Sequence, residues 1–310
     1  MLYRKLYSSL VVLLALASPA AANHFADFFP GLYKQLPAEM RHQLDKLELE
    51  QGLITIGDGI AELNVPENYY YLNPEATQFV LEDLWGNPDG SGSLGMIFPS
   101  NTTPLHSDSW GIEITYDQLG YVEDKDATDY DFDALLEILK EETEGENEWR
   151  VENGYQSIDL VGWAAEPTYN PQTRELYWAK RLRFEGEDQD TLNYNIRELG
   201  REGVLVVNFI ATIDQLHEIE AAVPEVLAMV SFSDGYRYSD FNPDVDKVAA
   251  VGIGGLIAGK VLLSNPGILA WIVGMVKQFG FLVFVILMSI KNQIVRRREK
   301  NREKLSPTSS

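Results

Sequence analysis

The feature that most constrains this chain is the apolar stretch at 266–290, which is long enough to cross a lipid bilayer as one tilted helix. A run rich in Lys and Arg follows it directly. Basic residues just past a span resist translocation, so the tail is expected on the cytoplasmic side. The sequence therefore predicts a single transmembrane helix at 266–290 and a basic cytoplasmic tail at 291–310, in an integral membrane protein.

A second apolar segment, at 248–265, precedes this helix and contains Gly255-x-x-x-Gly259, a spacing that allows close approach of helices. The segment is either interfacial or a second membrane segment. Two spans would return the basic tail to the outside, against the distribution of positive charge. We therefore favour one span, while the number of membrane segments stays open.

The N-terminus has the three parts of a secretory signal peptide. Arg4 and Lys5 precede a short apolar run at 10–17, which is too short to span a bilayer, and Ala20-Ala21-Ala22 supplies a small-residue cleavage site. We expect a signal peptide at 1–22, cleaved after Ala22. The main domain would then be periplasmic and anchored in a bacterial inner membrane.

Charge and cysteine content exclude several classes of function. The chain has 25 Lys and Arg against 47 Asp and Glu, a net charge of −22, and many of its basic residues lie near the two ends. Such an acidic domain repels nucleic acid and favours cations or basic partners. Because there is no cysteine, disulfides and thiol chemistry are excluded.

Between the two ends, the pattern predicts one α+β domain at 52–235, an antiparallel sheet flanked by helices. An N-terminal helical segment at 23–51 precedes it and a tether at 236–247 follows it. A four-strand meander is predicted from 157 to 212, with its last strand, GVLVVNFIA, apolar on both faces as a central strand would be. Helix starts are predicted by Asn73-Pro74, by a capping box at Thr128 and Asp131, and by another at Thr212 and Gln215.

Gly90-x-Gly92-x-x-Gly95 has the spacing of a dinucleotide-binding loop. Such a loop must follow a strand and open a helix, so that the pyrophosphate meets the helix N-terminus. Here the order is reversed, because a helix is predicted before the glycines and the strand LGMIFP after them. The motif is interpreted as a helix-to-strand connection, and no nucleotide cofactor is expected.

Asp124, Asp126 and Asp129 form the candidate metal site, an irregular site for Ca²⁺. Neither Asp124 nor Asp129 starts an EF-hand register, which needs Gly at the sixth position and Glu at the twelfth. The alternative is that these acidic residues crowd a helix N-terminus, where the helix dipole favours them. The four histidines form no zinc-binding pair.

The candidate binding residues lie on the predicted strand LYWAKRLRF and its neighbour. They are Trp178, Lys180, Arg181, Arg183 and Arg197. Lys180 interrupts an otherwise apolar face, and the cations lie near Trp163, Trp178 and Tyr194, so they could form an anion- or peptide-binding face with aromatic walls. The alternative is intramolecular salt bridging, with Lys180 at a sheet edge.

Several segments together resemble a bacterial family. They are DLWGNP with LGMIFP, LYWAKRLRF, LNYNIRELGREGVLVVN, EVLAMVSF and DFNPDVDKVAAVG. On these the chain is identified as a member of domain-of-unknown-function family 2167, predicted membrane-anchored proteins. The resemblance implies an exported protein anchored at its C-terminus, and no activity. The order of elements is also similar to that of the PsbP/Mog1-like sandwich.

The favoured function is a non-enzymatic, membrane-anchored binding module of the cell envelope, whose partner is another envelope protein or a small ligand. The alternative is an envelope hydrolase that uses carboxylates or a bound cation. A pocket that joins Glu166 or Glu198 to Lys180 would favour the hydrolase. No catalytic residue is assigned.

Overall fold

The computed structural model describes residues 21–88, 90–125, 127 and 131–258. The strands are β1 (Ala21–His24), β2 (Glu48–Ile56), β3 (Ala61–Val65), β4 (Tyr69–Leu72), β5 (Gly95–Pro99), β6 (Gly111–Asp117), β7 (Ile158–Asn170), β8 (Glu175–Phe184), β9 (Thr191–Leu199), β10 (Val204–Thr212) and β11 (Val230–Phe232). The helices are α1 (Phe25–Phe28), α2 (Pro30–Tyr33), α3 (Ala38–Leu44), α4 (Pro74–Gln78), α5 (Phe132–Glu152), α6 (Leu216–Met229) and α7 (Ile253–Ala258). A π-helical stretch, Phe79–Leu84, continues α4.

One antiparallel sheet organises the domain, in the order β11-β3-β2-β4-β5-β6-β10-β9-β8-β7, with β1 paired to β2 off this path. The predicted antiparallel sheet with flanking helices is therefore confirmed. The four-strand meander is also confirmed as β7 to β10, and β10 is a central strand between β6 and β9. Irregular register between β7 and β8 marks one edge of the sheet.

Two of the predicted helix starts are present. Asn73 Oδ1 accepts a hydrogen bond from the backbone N–H of Ala76 at 3.0 Å, ahead of Pro74. Thr212 and Gln215 form a capping box before α6. The start of α5 differs from the prediction, because Asp131 itself is the N-cap and accepts from the backbone N–H groups of Asp133 and Ala134. Because the Asp131 backbone is extended, its short side chain reaches both N–H groups, and no second capping residue is needed.

α6 covers one face of the sheet, here called the α6 face. Its buried residues pack on a continuous apolar surface contributed by alternate positions of the central strands. That surface includes Ile97, Ile112, Ile114, Ile196, Leu205, Val207 and Phe209.

The opposite face, here called the α5 face, carries two separate apolar clusters. The first lies under α5 and contains Leu135, Leu139, Leu160, Leu176, Trp178, Leu199 and Val204. The second lies under the N-terminal helices and α4 and contains Leu49, Tyr70, Leu72, Met96 and Phe98. The sheet therefore has one face with a continuous core and one with a divided core.

The segments on the outer sides of the predicted domain limits at 51/52 and 235/236 both contact the sheet domain. β2 spans 48–56, so the predicted N-terminal helical segment at 23–51 ends in a strand of the sheet, and its helix α3 ends at Leu44. The predicted tether is packed on the domain, because Arg201 donates two hydrogen bonds to the Asp246 carboxylate, each 2.8 Å. The backbone N–H of Tyr121 also donates to the carbonyl of Lys247.

Among the described residues, no helix combines the length and apolar character needed to cross a membrane. The predicted transmembrane helix at 266–290, the tail at 291–310 and residues 1–20 of the predicted signal peptide lie outside the described residues. The described part of the apolar segment predicted at 248–265 packs in the cluster under α5. Its buried residues are Val251, Ile253, Leu256 and Ile257.

Candidate functional site

A row of polar side chains crosses the α5 face between its two apolar clusters. Backbone register places Met96 opposite Glu113, Glu113 opposite Asn208, Asn208 opposite Asn195, and Asn195 opposite Trp178. The row therefore begins in the cluster under α4 and ends in the cluster under α5. We call the polar strip the set of six residues on this face, Glu113, Lys180, Asn193, Asn195, Arg197 and Asn208.

The amides of the polar strip form a hydrogen-bonded chain across β9 and β10. Asn195 Nδ2 donates to Asn193 Oδ1 at 2.8 Å, and Asn193 Nδ2 donates to Asn208 Oδ1 at 2.8 Å. Burial raises the pKa of the Glu113 carboxyl, and the neighbouring side chains of Ser93, Arg197 and Asn208 oppose this effect. Asn195 is buried, while the other strip residues are partly exposed. The strip is therefore a hydrogen-bonded polar surface that is accessible to solvent.

Arg197 lies over the indole ring of Trp178, with its guanidinium carbon 5.2 Å from the ring centroid. Arg197 Nη1 and Trp178 Nε1 are both inaccessible to solvent, and neither has a hydrogen-bond partner in the described part of the chain. Burial lowers the pKa of Arg197 to about 10, although Asp117 and Glu113 oppose this effect. Two buried donors without an acceptor are costly to a fold.

Lys180 lies beside Asn193, with which it pairs in register, and faces α5. Burial and the nearby charge of Arg197 lower the pKa of Lys180, while Glu142 and Glu146 on α5 raise it. No carboxylate lies within salt-bridge distance of Lys180 among the described residues. The predicted position at a sheet edge is wrong, because β8 is an interior strand between β7 and β9.

Arg181 and Arg183 do not join this site. They alternate with Lys180 along β8 and both bind Asp190, with Arg181 Nε 2.5 Å and Arg183 Nε 2.9 Å from its carboxylate oxygens. The alternative of intramolecular salt bridging therefore describes these two arginines. Of the predicted aromatic walls, Trp163 and Trp178 pack in the cluster under α5, whereas Tyr194 packs in the core of the α6 face.

The two carboxyls considered for acid–base chemistry are separate from Lys180. Glu166 is exposed on β7. Glu198 alternates with Arg197 along β9 and pairs with Glu175 and Leu205, so it belongs to the opposite side of the sheet. Neither carboxyl is within salt-bridge distance of Lys180.

For the predicted metal site, only Asp124 lies within the described residues; Asp126 and Asp129 do not. Asp124 forms an ion pair with Arg174, and Tyr169 Oη donates to Asp124 Oδ2 at 2.8 Å. Its carboxylate is therefore already engaged by a cation and a phenol. Within the described ranges, no group of three His, Asp or Glu residues is arranged to hold a metal ion.

The glycine-rich segment behaves as predicted. The π-helical stretch ends at Leu84 and β5 starts at Gly95, so the glycines connect a helix to a strand. Ala22, the predicted cleavage position, lies in β1 opposite Glu50.

A family model described as "Protein of unknown function (DUF2167)" matches residues 48–288, which include the whole of the polar strip. The chain belongs to this family. No protein of curated function is significantly similar to it in sequence. Among solved structures, the chain is similar to the solution structure of cyanobacterial PsbP (CyanoP) from Synechocystis sp. PCC 6803. The identity is 9%, the match covers 58% of this chain and 91% of that chain, and the TM-score is 0.33. At this level the likeness does not define the fold, so the PsbP/Mog1-like sandwich stays a prediction.

In this member of the DUF2167 family, the sequence located part of the site. It singled out Trp178, Lys180 and Arg197, which the structure brings together. It missed the asparagines and Glu113, although one signal was present, because Asn208 interrupts the apolar run VLVVNFIA in a central strand. A buried amide in such a strand needs a polar neighbour.

Proposed function

We propose that this protein is a non-enzymatic binding module of the bacterial cell envelope, with its sheet domain in the periplasm and its C-terminus in the inner membrane. The polar strip, with Trp178, is its binding surface. Its ligand presents an anionic group, a carboxylate or a phosphate, on another envelope protein or a small molecule. No resident cofactor or metal is part of the proposal.

One observation carries this proposal: among the described residues, Arg197 Nη1 and Trp178 Nε1 are buried donors without acceptors, beside Lys180, a cation without a salt-bridge partner there. In a chain with 47 acidic residues, carboxylates to neutralise two cations are abundant. Arg181 and Arg183 share the carboxylate of Asp190, and Arg201 pairs with that of Asp246. Cations left without a carboxylate, together with an indole N–H, form an arrangement that an incoming anion would complete.

The proposed location rests on the sequence. The signal-peptide pattern at 1–22 and the apolar stretch at 266–290 with its basic flank are expected to export the domain and retain it at the membrane. Fusions of a reporter active only in the cytoplasm test the topology. Activity is expected for a fusion at residue 305 and not for one at residue 240.

Catalysis is not part of the proposal, because no observation favours the hydrolase alternative. An acid–base pair needs two titratable groups at one reacting centre. Glu198 and Lys180 alternate to opposite sides of the sheet, and Glu166 is exposed. Neither Glu166 nor Glu198 therefore meets Lys180 at a common centre.

Site-specific photo-crosslinking in cells tests the proposal. A photoreactive amino acid replaces Asn193 in the polar strip of the full-length protein. In the control it replaces Gln189, an exposed residue between β8 and β9. We expect a discrete adduct from position 193 that the second substitution Arg197→Gln abolishes and Arg183→Gln preserves. An adduct that is unchanged by Arg197→Gln would refute binding through the strip.

A further inference from the structure

A separate cavity of about 640 Å³ lies at one end of the sheet, where the segment after β11 crosses the ends of β8 and β9. Residues of the β7–β8 turn, the end of β9, β11 and the stretch 237–241 line it. The packing beside it is tight, because a Cβ at Gly200 would lie 2.6 Å from the Phe232 ring and 3.0 Å from the carbonyl oxygen of Tyr236. The volume falls in the range of small-molecule sites.

One wall of the cavity is aromatic. The Tyr121 ring stacks between Phe241, at 3.8 Å between ring centroids, and Tyr238, at 4.4 Å. Arg174 covers the Tyr238 ring, with its guanidinium carbon 4.9 Å from the centroid. Leu199 and Phe232 add apolar surface. The wall is therefore suited to the apolar part of an organic ligand.

The charges on the lining are unbalanced. Arg174 is paired with Asp124, and Arg237 with Asp234 at 2.6 Å. The remaining charged group on the lining, Glu198, has no basic partner and no hydrogen bond among the described residues. It also lies directly opposite Glu175 in the β8–β9 register, an unfavourable arrangement for two carboxylates. The lining thus has a carboxyl that lacks a cation.

We infer that this cavity binds an organic ammonium ion, whose charged nitrogen pairs with the Glu198 carboxylate and whose apolar body packs on Leu199, Phe232 and the aromatic wall. This is a second site, apart from the polar strip, and it does not depend on the function proposed above. A bound ammonium ion supplies the missing counter-charge and relieves the repulsion between Glu198 and Glu175.

Ionisation of Glu198 sets the pH range of this binding. Burial, and then the charge of Glu175, raise the pKa of Glu198 to about 7. The other titratable groups on the lining are Arg174, Arg237, Tyr121 and Tyr238. The pKa of Arg174 is raised mainly by its hydrogen bond with Tyr169, and that of Tyr238 mainly by burial, so neither changes charge in this pH range. A cation binds the ionised carboxylate, so affinity should rise as the pH rises through 7.

Calorimetric titration of the full-length chain with benzylammonium chloride tests the inference. We expect binding about tenfold tighter at pH 8 than at pH 6, since one carboxyl that titrates near 7 controls it. Glu198→Gln should weaken binding at least about tenfold at pH 8 and remove the pH dependence. The matched control Glu166→Gln, an exposed carboxyl on β7, should bind like the unmodified chain.

Two further probes and one variant complete the experiment. Benzyl alcohol, which lacks the charge, should bind weakly and equally to the unmodified chain and to Glu198→Gln. Arg197→Gln should leave benzylammonium binding unchanged, which separates this site from the polar strip. Equal benzylammonium binding by Glu198→Gln and the unmodified chain, no binding at pH 8, or tighter binding of phenylacetate than of benzylammonium by Arg197→Gln would each overturn the inference.

Discussion

The two faces of the sheet differ in the kind of residue that the same strands place on them. On the α6 face, alternate residues of the central strands form one continuous apolar core under a single helix. On the α5 face, the same strands place amides, a carboxyl and two cations between two apolar clusters. Continuous apolar burial is the main source of folding stability, whereas buried polar groups without partners reduce it. We infer that the α6 face stabilises the fold and that the polar strip is retained for binding.

The largest expected effect tests the α6 face. Phe209 is fully buried there, between Trp110 and Tyr194, whose ring centroids are both 6.0 Å away. Phe209→Ala should lower the free energy of unfolding by about 3 to 5 kcal/mol, because it removes apolar contacts and leaves a cavity. Urea denaturation followed by circular dichroism measures this loss. A loss below about 1 kcal/mol would show that the α6 face is not the dominant core.

The next prediction concerns Glu198, a carboxyl at the margin of the α6 face. Because its folded-state pKa is raised to about 7, its ionisation opposes folding, and stability should fall as pH rises from about 5 to about 8. Glu198→Gln should remove this part of the pH dependence and stabilise the protein at pH 8 by about 1 to 2 kcal/mol. Denaturation midpoints of both proteins at pH 5 and pH 8 measure this change in stability. An equal shift of the midpoint between the two pH values in both proteins would contradict the prediction.

A smaller gain in stability is expected from Lys180→Met. Burial and Arg197 lower the pKa of Lys180, so the charged form opposes folding below the shifted pKa, and stability should rise as pH increases toward 10.5. Lys180→Met should stabilise the protein at pH 7 by about 1 kcal/mol and flatten this rise. Thermal denaturation between pH 7 and pH 10 measures both. Destabilisation would show that Lys180 is an essential structural cation paired with Glu142 or Glu146.

The smallest effect is expected outside both cores. Arg181 and Arg183 share Asp190, and their side chains are 44% and 52% exposed, so solvent screens these pairs. Arg183→Gln should leave the unfolding midpoint unchanged within error in a urea titration. A clear drop in the unfolding midpoint would mean that the ion pairs of Asp190 stabilise the fold, as the apolar core does.

Local patterns in the sequence predicted the parts of the fold that depend on neighbouring residues. Asn73 with Pro74, Thr212 with Gln215 and the alternation along β8 each act over a few positions, and each is present in the structure. Strand β4 was not predicted, because its four residues, Tyr69–Leu72, are all buried and show no alternation.

The candidate site was only partly predictable, because its partners come from distant segments. The contact between Arg197 and Trp178 requires β8 and β9 to pair in one register, and the Asn193–Asn208–Glu113 chain requires β10 to lie between β9 and β6. Sequence proximity also misled, since Arg181 and Arg183 appeared to belong with Lys180. Alternation on the strand separates them, and Asp190 neutralises both.

The most direct test of the central claim is the stability of Arg197→Met in the full-length chain. If the polar strip is retained for binding, removal of the Arg197 guanidinium, whose Nη1 is buried without an acceptor in the described part of the chain, should leave the free energy of unfolding unchanged or raise it by about 1 kcal/mol in urea denaturation at pH 7. A loss of more than about 2 kcal/mol, comparable to that of a core residue, would show that Arg197 holds the fold together and would contradict the account.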